Sequence, residues 1–452
     1  MFKLLKKFVP DTWKVLYFQS KNRIISAILY FTYIVNSPYL TALIWQFLTR
    51  KIIVPTNGTC NASILVFDSP GGLDDIRAAY VSNLPEYQIL SLDGEVIKSL
   101  ERYVYGQNFG DYEFYLKTKD DQKKNSIYKA YLTNVIKFLV KRINLKVIIN
   151  FNFVYEAQRP LMEVCKKLNL KFLTVMKECL RTPGYIDGTV KVYKDKIVNV
   201  NPDLILVHND QTKDLLIRSE IYESNQIKVI GQPRSDVLIQ FAEKKITVKN
   251  DKEKKQVLFF AISETAGLPY FGDITGFDDE AIRNLGPNFR WFSLIEKTYR
   301  VLCDHCVESN SYRLIIKGKP TGVYGFKKIS HPSIQYFHGN PDINLITKSD
   351  LVIGFNTTGL FEAIAAGIPT ISSEIGVDEI LGASRFLYDF QGTARIARTM
   401  EGLRSLVEEG LSQGFSVDPK NRKQVLDRYL GNSDGKAGVR LRAEIDKALH
   451  SS

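Results

Sequence analysis

Lys348-Ser-Asp-Leu-Val-Ile-Gly-Phe-Asn-Thr-Thr-Gly-Leu-Phe-Glu-Ala-Ile-Ala-Ala-Gly-Ile-Pro-Thr-Ile371 decides how the rest of the chain is read. Leu351-Val-Ile353 is a short apolar run of the kind that forms a buried parallel strand. Asn356, Thr357 and Thr358 follow, residue types that cap a helix start with a side-chain oxygen. Leu360, Phe361, Ile364 and Ala365 recur at helical spacing, and Gly367 with Pro369 stops the helix before a second strand at Thr370-Ile371. The unit is strand, polar turn, helix, strand. Free backbone N–H groups at such a helix start, with two hydroxyls beside them, form a phosphate site. Glu362 lies one turn deeper on the face of Thr358, where a carboxylate can hold the hydroxyls of a ribose. An ordinary capped helix of an α/β domain has the same pattern, so both readings stand on these residues alone.

The surrounding strands give the fold class. Ser63–Asp68, Tyr87–Leu90, Lys146–Ile149, Lys171–Val175, Leu204–Val207 and Lys228–Ile230 alternate with helical segments, which predicts a doubly wound parallel sheet. Gly231-Gln-Pro-Arg-Ser-Asp236 closes that domain: Gly and Pro fix a turn, and Asp236 can cap a helix over 237–243. Arg234 reads equally as a buried ion-pair partner or as a ligand group. The charged run Lys244–Lys255 reads as a linker, after which Val257–Phe260, Tyr312–Ile316 and the opening stretch make a second α/β domain. A loop over 267–288, rich in Gly, Asp and aromatic residues, is placed over a cleft.

Ser349-Asp-Leu-Val-Ile-Gly354, the hydroxyl pair, Glu362-Ala363 and Gly367-Ile-Pro369 together resemble the donor-nucleotide motif of bacterial glycosyltransferases of GT-B architecture. The resemblance is to those of capsule and surface-polysaccharide synthesis, with the teichoic-acid glycerophosphotransferases as cousins. Lys177-Glu-Cys-Leu-Arg-Thr-Pro-Gly184 and Ile230–Leu238 extend it, so that scattered blocks from about 63 to 376 are covered and the first ~60 residues are not. It implies two Rossmann-like domains facing a cleft, preceded by an N-terminal helical segment. It also implies that Thr357 and Thr358 hold the donor phosphate and Glu362 the ribose.

The implied layout is 1–58 as basic and hydrophobic membrane-associating helices, 59–243 as acceptor domain, 256–415 as nucleotide-donor domain and 416–452 as C-terminal helices. The last helix of such proteins often crosses back to the first domain. Ligands of open α/β sheets bind outside the carboxyl ends of the strands. On that ground Ser263, Lys317, Lys319 and Asn356 join the donor set, and Asn152, Tyr155 and Arg181 the acceptor set. Lys317 and Lys319 complement a diphosphate, or are plain surface lysines. Relatives often carry a His in this turn; Gly318 and Lys319 depart from that pattern, and no His role transfers.

Transfer from a nucleotide donor needs a group to take the acceptor proton and charge to stabilise the leaving phosphate. Glu178 is the candidate base and Asp68 its reserve, both on first-domain loops; a capping or salt-bridged role for Glu178 is the other reading. No Asp-x-Asp occurs, so a metal-independent reaction without cofactor is expected. A nucleotide-sugar epimerase of the UDP-N-acetylglucosamine 2-epimerase type is the alternative. Asp68-Ser-Pro-Gly71 stands where those enzymes open with Gly-Thr-Arg-Pro, which counts against it. A non-catalytic subunit of a polysaccharide-assembly complex is a further alternative.

Of the 452 residues 44% are hydrophobic, enough for two cores, and the net charge of +12 (61 minus 49) favours an anionic partner. No zinc-finger spacing or aromatic ribonucleoprotein motif supports nucleic acid. A phosphorylated donor and an anionic membrane explain the charge, with a glycan or lipid-linked acceptor. Cys303-Asp-His-Cys306 has CxxC spacing without a second pair and reads as a buried helix face before a metal or redox site. Ile24–Leu48 carries no charged residue, but Asn36-Ser-Pro38 breaks it into halves too short to span. Behind the basic residues of 1–23 it is expected to lie on the cytoplasmic face of the bacterial inner membrane, a pair of soluble helices being the other possibility. The sequons Asn57-Gly-Thr59 and Asn61-Ala-Ser63 fit a Golgi-type lumen instead, and the bacterial resemblance outweighs them.

Overall fold

A computed structural model describes residues 24–55, 60–69, 71–81, 84–105, 119–152, 159–196, 202–244, 254–261, 291–318, 326–338, 343–380 and 383–451. Ser263, Lys319, Tyr155, the basic stretch 1–23, the first sequon and the loop 267–288 lie outside the described residues.

Two parallel-sheet domains follow one another. The first sheet holds β1 (Arg50–Ile53), β2 (Ser63–Asp68), β3 (Gln88–Asp93), β4 (Leu145–Asn150), β5 (Lys171–Val175), β6 (Leu204–Val207) and β7 (Ile227–Val229) in the order β1-β3-β2-β4-β5-β6-β7. Strands β2 to β7 are parallel, and β1 runs antiparallel along β3. The second holds β8 (Lys255–Phe260), β9 (Tyr312–Gly318), β10 (Ile334–His338), β11 (Leu351–Gly354), β12 (Thr370–Ser373) and β13 (Arg395–Ala397) in the order β10-β9-β8-β11-β12-β13, all parallel.

The near-continuous apolar strands follow from helices covering both faces of each sheet. On β2, Leu65 and Phe67 pack into one cluster while Ile64 and Val66 pack into another. On β11, Val352 goes one way and Leu351 with Ile353 the other. Strand β1 falls inside the stretch assigned to N-terminal helices. Ile52 and Ile53 pack under the sheet, and exposed Arg50 and Lys51 blunt its free edge. Strands β10 and β13 were not read from sequence. Ile334–His338 mixes polar Gln335 and His338 with apolar residues, and Arg395–Ala397 is only three residues long.

Residues 24–34 and the helix Pro38–Leu48 lie against the long helix Lys119–Ile143. Leu29, Ala42 and Trp45 face inward, and Thr32, Thr41 and Tyr131 join hydroxyls at 2.6 Å steps beneath them. The opposite face keeps Ile24, Ile28, Phe31, Ile34 and Phe47 in solvent, Phe47 at 87% exposure. Among the described residues no helix is long and apolar enough to cross a membrane. Cys303 and Cys306 both point into the core from the helix Phe292–Ser309.

The C-terminal segment ties the domains. Val425, Leu426 and Tyr429 of the helix Pro419–Tyr429 pack into the second domain. Leu441 and Ile445 of the helix Ala437–His450 pack under the first sheet. Between them Gly431, in the left-handed region at φ +59°, passes so close to His208 that a Cβ would stand 1.8 Å from its carbonyl oxygen. Asp236 does not serve the helix that it begins. Its carboxylate accepts from the backbone N–H of Ala437 and Gly438 and from Asn432 Nδ2, so it caps the returning C-terminal helix. That helix start is the one brought within reach of its side chain, whereas residue 236 is already inside its own first turn.

Candidate functional site

The loops at the carboxyl ends of the two sheets meet. From the first sheet come Gly71 and Asp75 after β2, Leu180 and Gly184 after β5, His208 after β6 and Arg234 after β7. From the second come Lys317 at the end of β9, the turn Phe355–Thr357 after β11 and Phe386. Leu180 packs on the second domain's core, and Gly184 faces the Phe386 ring.

The turn after β11 is built as its residue types require. Asn356 takes the left-handed conformation (φ +43°), which Asn tolerates, and its amide donates to the Phe386 carbonyl at 2.7 Å. Thr357 is the N-cap of the helix Thr358–Ala365 and its Oγ accepts from Gly359 N at 3.4 Å. Gly359 lies against Phe260 at the end of β8, where a Cβ would stand 2.5 Å from the ring. The helix start is thus pressed into the carboxyl edge of the sheet. Thr357 and Thr358 remain half-buried there; the expected free N–H groups are partly used within the turn, Gly359 N on Thr357 Oγ and Leu360 N on the Thr357 carbonyl at 3.2 Å.

Glu362 lies almost buried on the same helix, and Arg234 reaches it from the other domain with Nε 3.4 Å from Oε1. Arg234 is itself fixed by Asp75: its backbone N–H donates to Oδ1 at 3.0 Å and Nη1 to Oδ2 at 2.9 Å. Nη1 also lies 3.4 Å from the Gly71 carbonyl. His208 completes the row, with Nε2 3.5 Å from Asp75 Oδ2, an ion-pair distance longer than a formed hydrogen bond. Behind it the Cys179 Sγ accepts from the His208 backbone N–H at 3.3 Å.

Charge balance follows from this geometry. Burial pushes the Glu362 carboxyl up, and Arg234 offsets part of that rise. Burial acts the same way on Asp75, but Arg234 and His208 outweigh it and hold that carboxyl below its ordinary value. Burial disfavours the His208 cation; Cys179 and Asp75 overcome it and push the imidazole up to about 9. Lys317 is buried, which lowers its pKa, with Glu362 opposing. Its Nζ donates to the Gly318 carbonyl at 3.2 Å.

The acceptor-side candidates lie on the facing loops. Glu178 is 66% exposed, 3.8 Å from Lys177 Nζ, and Lys177 donates to Ser69 Oγ at 2.6 Å, joining the loops after β5 and β2. Asp68 is half-buried and 3.4 Å from Arg50; burial raises its carboxyl, opposed by Arg50. Arg181 lies over the Tyr185 ring at 4.9 Å and donates to the Leu180 carbonyl. The Asn152 carbonyl accepts from Asn150 Nδ2. The structure therefore brings Thr357, Thr358, Glu362 and Lys317 to one sheet edge. On the other sheet Asp68 closes β2, Asn152 follows β4, and Glu178 and Arg181 lie on the loop after β5. Asp75 and His208 were missed in the sequence. The position of His208 immediately after the strand Leu204–Val207 was the available signal; Asp75 had none, lying inside a helix.

No family model matches the chain, and no curated protein matches it. Solved structures resemble it over most of its length. One is the UDP-GlcNAc 2-epimerase of Methanocaldococcus jannaschii in complex with UDP-GlcNAc and UDP, at 16% identity and TM-score 0.44, covering 85% of this chain and 99% of that one. Another is the wall teichoic acid polymerase TagF, at 11% identity and TM-score 0.49, covering 95% and 98%. The UDP-GlcNAc 2-epimerase of Neisseria meningitidis is similar at 12% identity and TM-score 0.44, covering 86% and 100%. This chain is a two-domain α/β protein of parallel sheets, and the chemistry of its cleft rests on its own residues.

Proposed function

We propose that the chain transfers a sugar or sugar-like unit from a nucleotide-activated donor to a glycan or lipid-linked acceptor, without a metal clamp. The observation that carries the reading is the convergence of the Thr357–Thr358 helix start, Lys317 and Glu362 at one sheet edge facing the loops of the other domain. The two hydroxyls, the positive end of the helix dipole and the Lys317 ammonium bind the donor's phosphates, where negative charge develops as the leaving group departs. Glu362 accepts from the ribose hydroxyls. The acceptor hydroxyl binds on the first-domain loops and attacks the donor's anomeric carbon. The bond to the leaving phosphate oxygen breaks as the new glycosidic bond forms, and the hydroxyl proton passes to a carboxylate, Glu178 or Asp68.

The apolar face of residues 24–34 and Pro38–Leu48 is assigned to a membrane surface, where a lipid-linked acceptor resides. Lys137, Lys141 and Arg142 are exposed beside Phe138, which meets Tyr39 edge-on at 5.0 Å, so basic groups border that face.

The test is product analysis of the full chain with CMP-, CDP-, UDP- and GDP-activated sugars, with and without lipid extract. Nucleotide release that depends on the acceptor supports transfer. Isomerisation of the sugar with no acceptor present would replace this reading with the epimerase.

A further inference from the structure

Arg234 belongs to the first domain, yet its guanidinium is the group that meets Glu362 of the second. We propose that Arg234, clamped by Asp75, is a positioning residue for donor binding: it pairs with the Glu362 carboxylate and turns it for the ribose. The inference rests on the reading of Glu362 given above.

Three observations carry it. Asp75 engages Arg234 at both its backbone N–H and Nη1, which fixes the guanidinium plane and leaves Nε directed at Glu362 Oε1. Glu362 is close to fully buried, so an unpaired carboxylate there would take up a proton. Only one carboxylate oxygen is engaged by Arg234, which leaves Oε2 for a hydroxyl donor. A carboxylic acid in that place would lose half its acceptor capacity and bind a diol poorly.

The other groups around Glu362 do not replace Arg234. Asp75 lies behind the guanidinium and opposes ionisation. Lys317 at the end of β9 favours it more weakly than Arg234 does. From the helix Pro419–Tyr429, Arg422 is bound to the carbonyls of Ile364 and Ala365 at the far end of the Glu362 helix. From the helix Asp236–Glu243, Asp236 is turned to Asn432 and the N–H groups of residues 437 and 438. His208 stands beyond Asp75.

The experiment measures dissociation constants of CDP, UDP, GDP and ADP by calorimetry between pH 5 and 9 for the wild type, Arg234→Met, Arg234→Lys and Glu362→Gln. The nucleotide's own titration is common to all four proteins, so differences between profiles report the site. Arg234→Met should bind at high pH and weaken as pH falls, by about tenfold per pH unit below a midpoint displaced above the wild type's. Arg234→Lys, which keeps a charge but not the fork, should fall between the two and decides the matter if the Met variant does not fold. Profiles of the variants that superimpose on the wild type, whatever their melting temperatures, overturn the inference while a weakened Glu362→Gln leaves the donor reading standing. Unchanged binding in Glu362→Gln, or no binding of any of the four nucleotides to the wild type, overturns both.

Discussion

Gly184 of the first domain and Phe386 of the second touch so closely that a Cβ on residue 184 would stand 2.6 Å from the ring. Phe386 is fully buried among Trp291, Phe355 and Val377, so it has no room to withdraw. Beside the contact, Arg385 meets Asp187 at 3.2 Å on the surface. The two domains are therefore fitted at a backbone-to-ring contact, with the ion pair at its rim contributing little.

Gly184→Ala should cost about 1–3 kcal/mol through this overpacking. Because the strain falls on the joint and not on either core, small-angle scattering should show a more open particle along with the lower melting temperature. Arg385→Ala should leave both nearly unchanged. Equal effects of the two would mean that the ring contact does not set the domain spacing.

His208 titrates in a direction that its surroundings dictate. Its folded-state value of about 9 lies above its ordinary 6.5, so the stabilisation is complete below 6.5 and is lost as pH rises through about 9. The Cys179 thiol, opposed by burial but held down by the same imidazole, titrates in the opposite sense. In an NMR titration the His208 cation should persist to about pH 9 in the wild type. In Cys179→Ala the midpoint should move down. An unmoved midpoint would show that Asp75 alone supports the cation.

Much of this arrangement was legible in the chain. The alternation of β-branched runs with helical segments carries six strands of the first sheet, and Leu351–Ile371 carries the turn and helix that hold Thr357, Thr358 and Glu362. What was not legible depends on long-range partners. Asp236 looks like a cap for the helix beside it, yet the chain that it caps begins 201 residues later. Arg234 was open between structural partner and ligand group, and only the fold brings Asp75 to one end of its guanidinium and Glu362 to the other. Strand β1 was hidden because Arg50 and Lys51 look like the polar end of a helical segment, whereas on a sheet edge they face solvent.

The acceptor side makes a separate claim. Glu178→Gln should leave nucleotide affinity near wild type and lower turnover about 10²–10⁴-fold. Its side chain is mostly exposed, so stability should hold within about 0.5 kcal/mol. Full activity in Glu178→Gln would pass the role to Asp68, tested by Asp68→Asn. Full activity in both would remove the acceptor-base account.

The apolar helical face predicts binding to lipid. Phe31→Ser with Ile34→Ser and Phe47→Ser removes three of its exposed side chains without touching Leu29, Ala42 or Trp45 beneath. Sedimentation with vesicles containing anionic phospholipid should fall by an order of magnitude or more, while the melting temperature stays put. Undiminished sedimentation would place the contact elsewhere; a change from dimer to monomer would assign the face to a second copy.

The most direct measurement is a thermal-shift titration of the wild type and of the double variant Thr357→Val, Thr358→Val against CMP, CDP, UDP and GDP. Loss of the Thr357 cap should lower the variant's own melting temperature through about 1 kcal/mol. Beyond that baseline, at least one nucleotide should raise the wild type's melting temperature with concentration. The variant should need about 30-fold or more of the same nucleotide, as befits about 2–4 kcal/mol from two charge-assisted hydrogen bonds. Equal shifts in both proteins, or no shift in the wild type with any of the four, would contradict a donor site at this helix start.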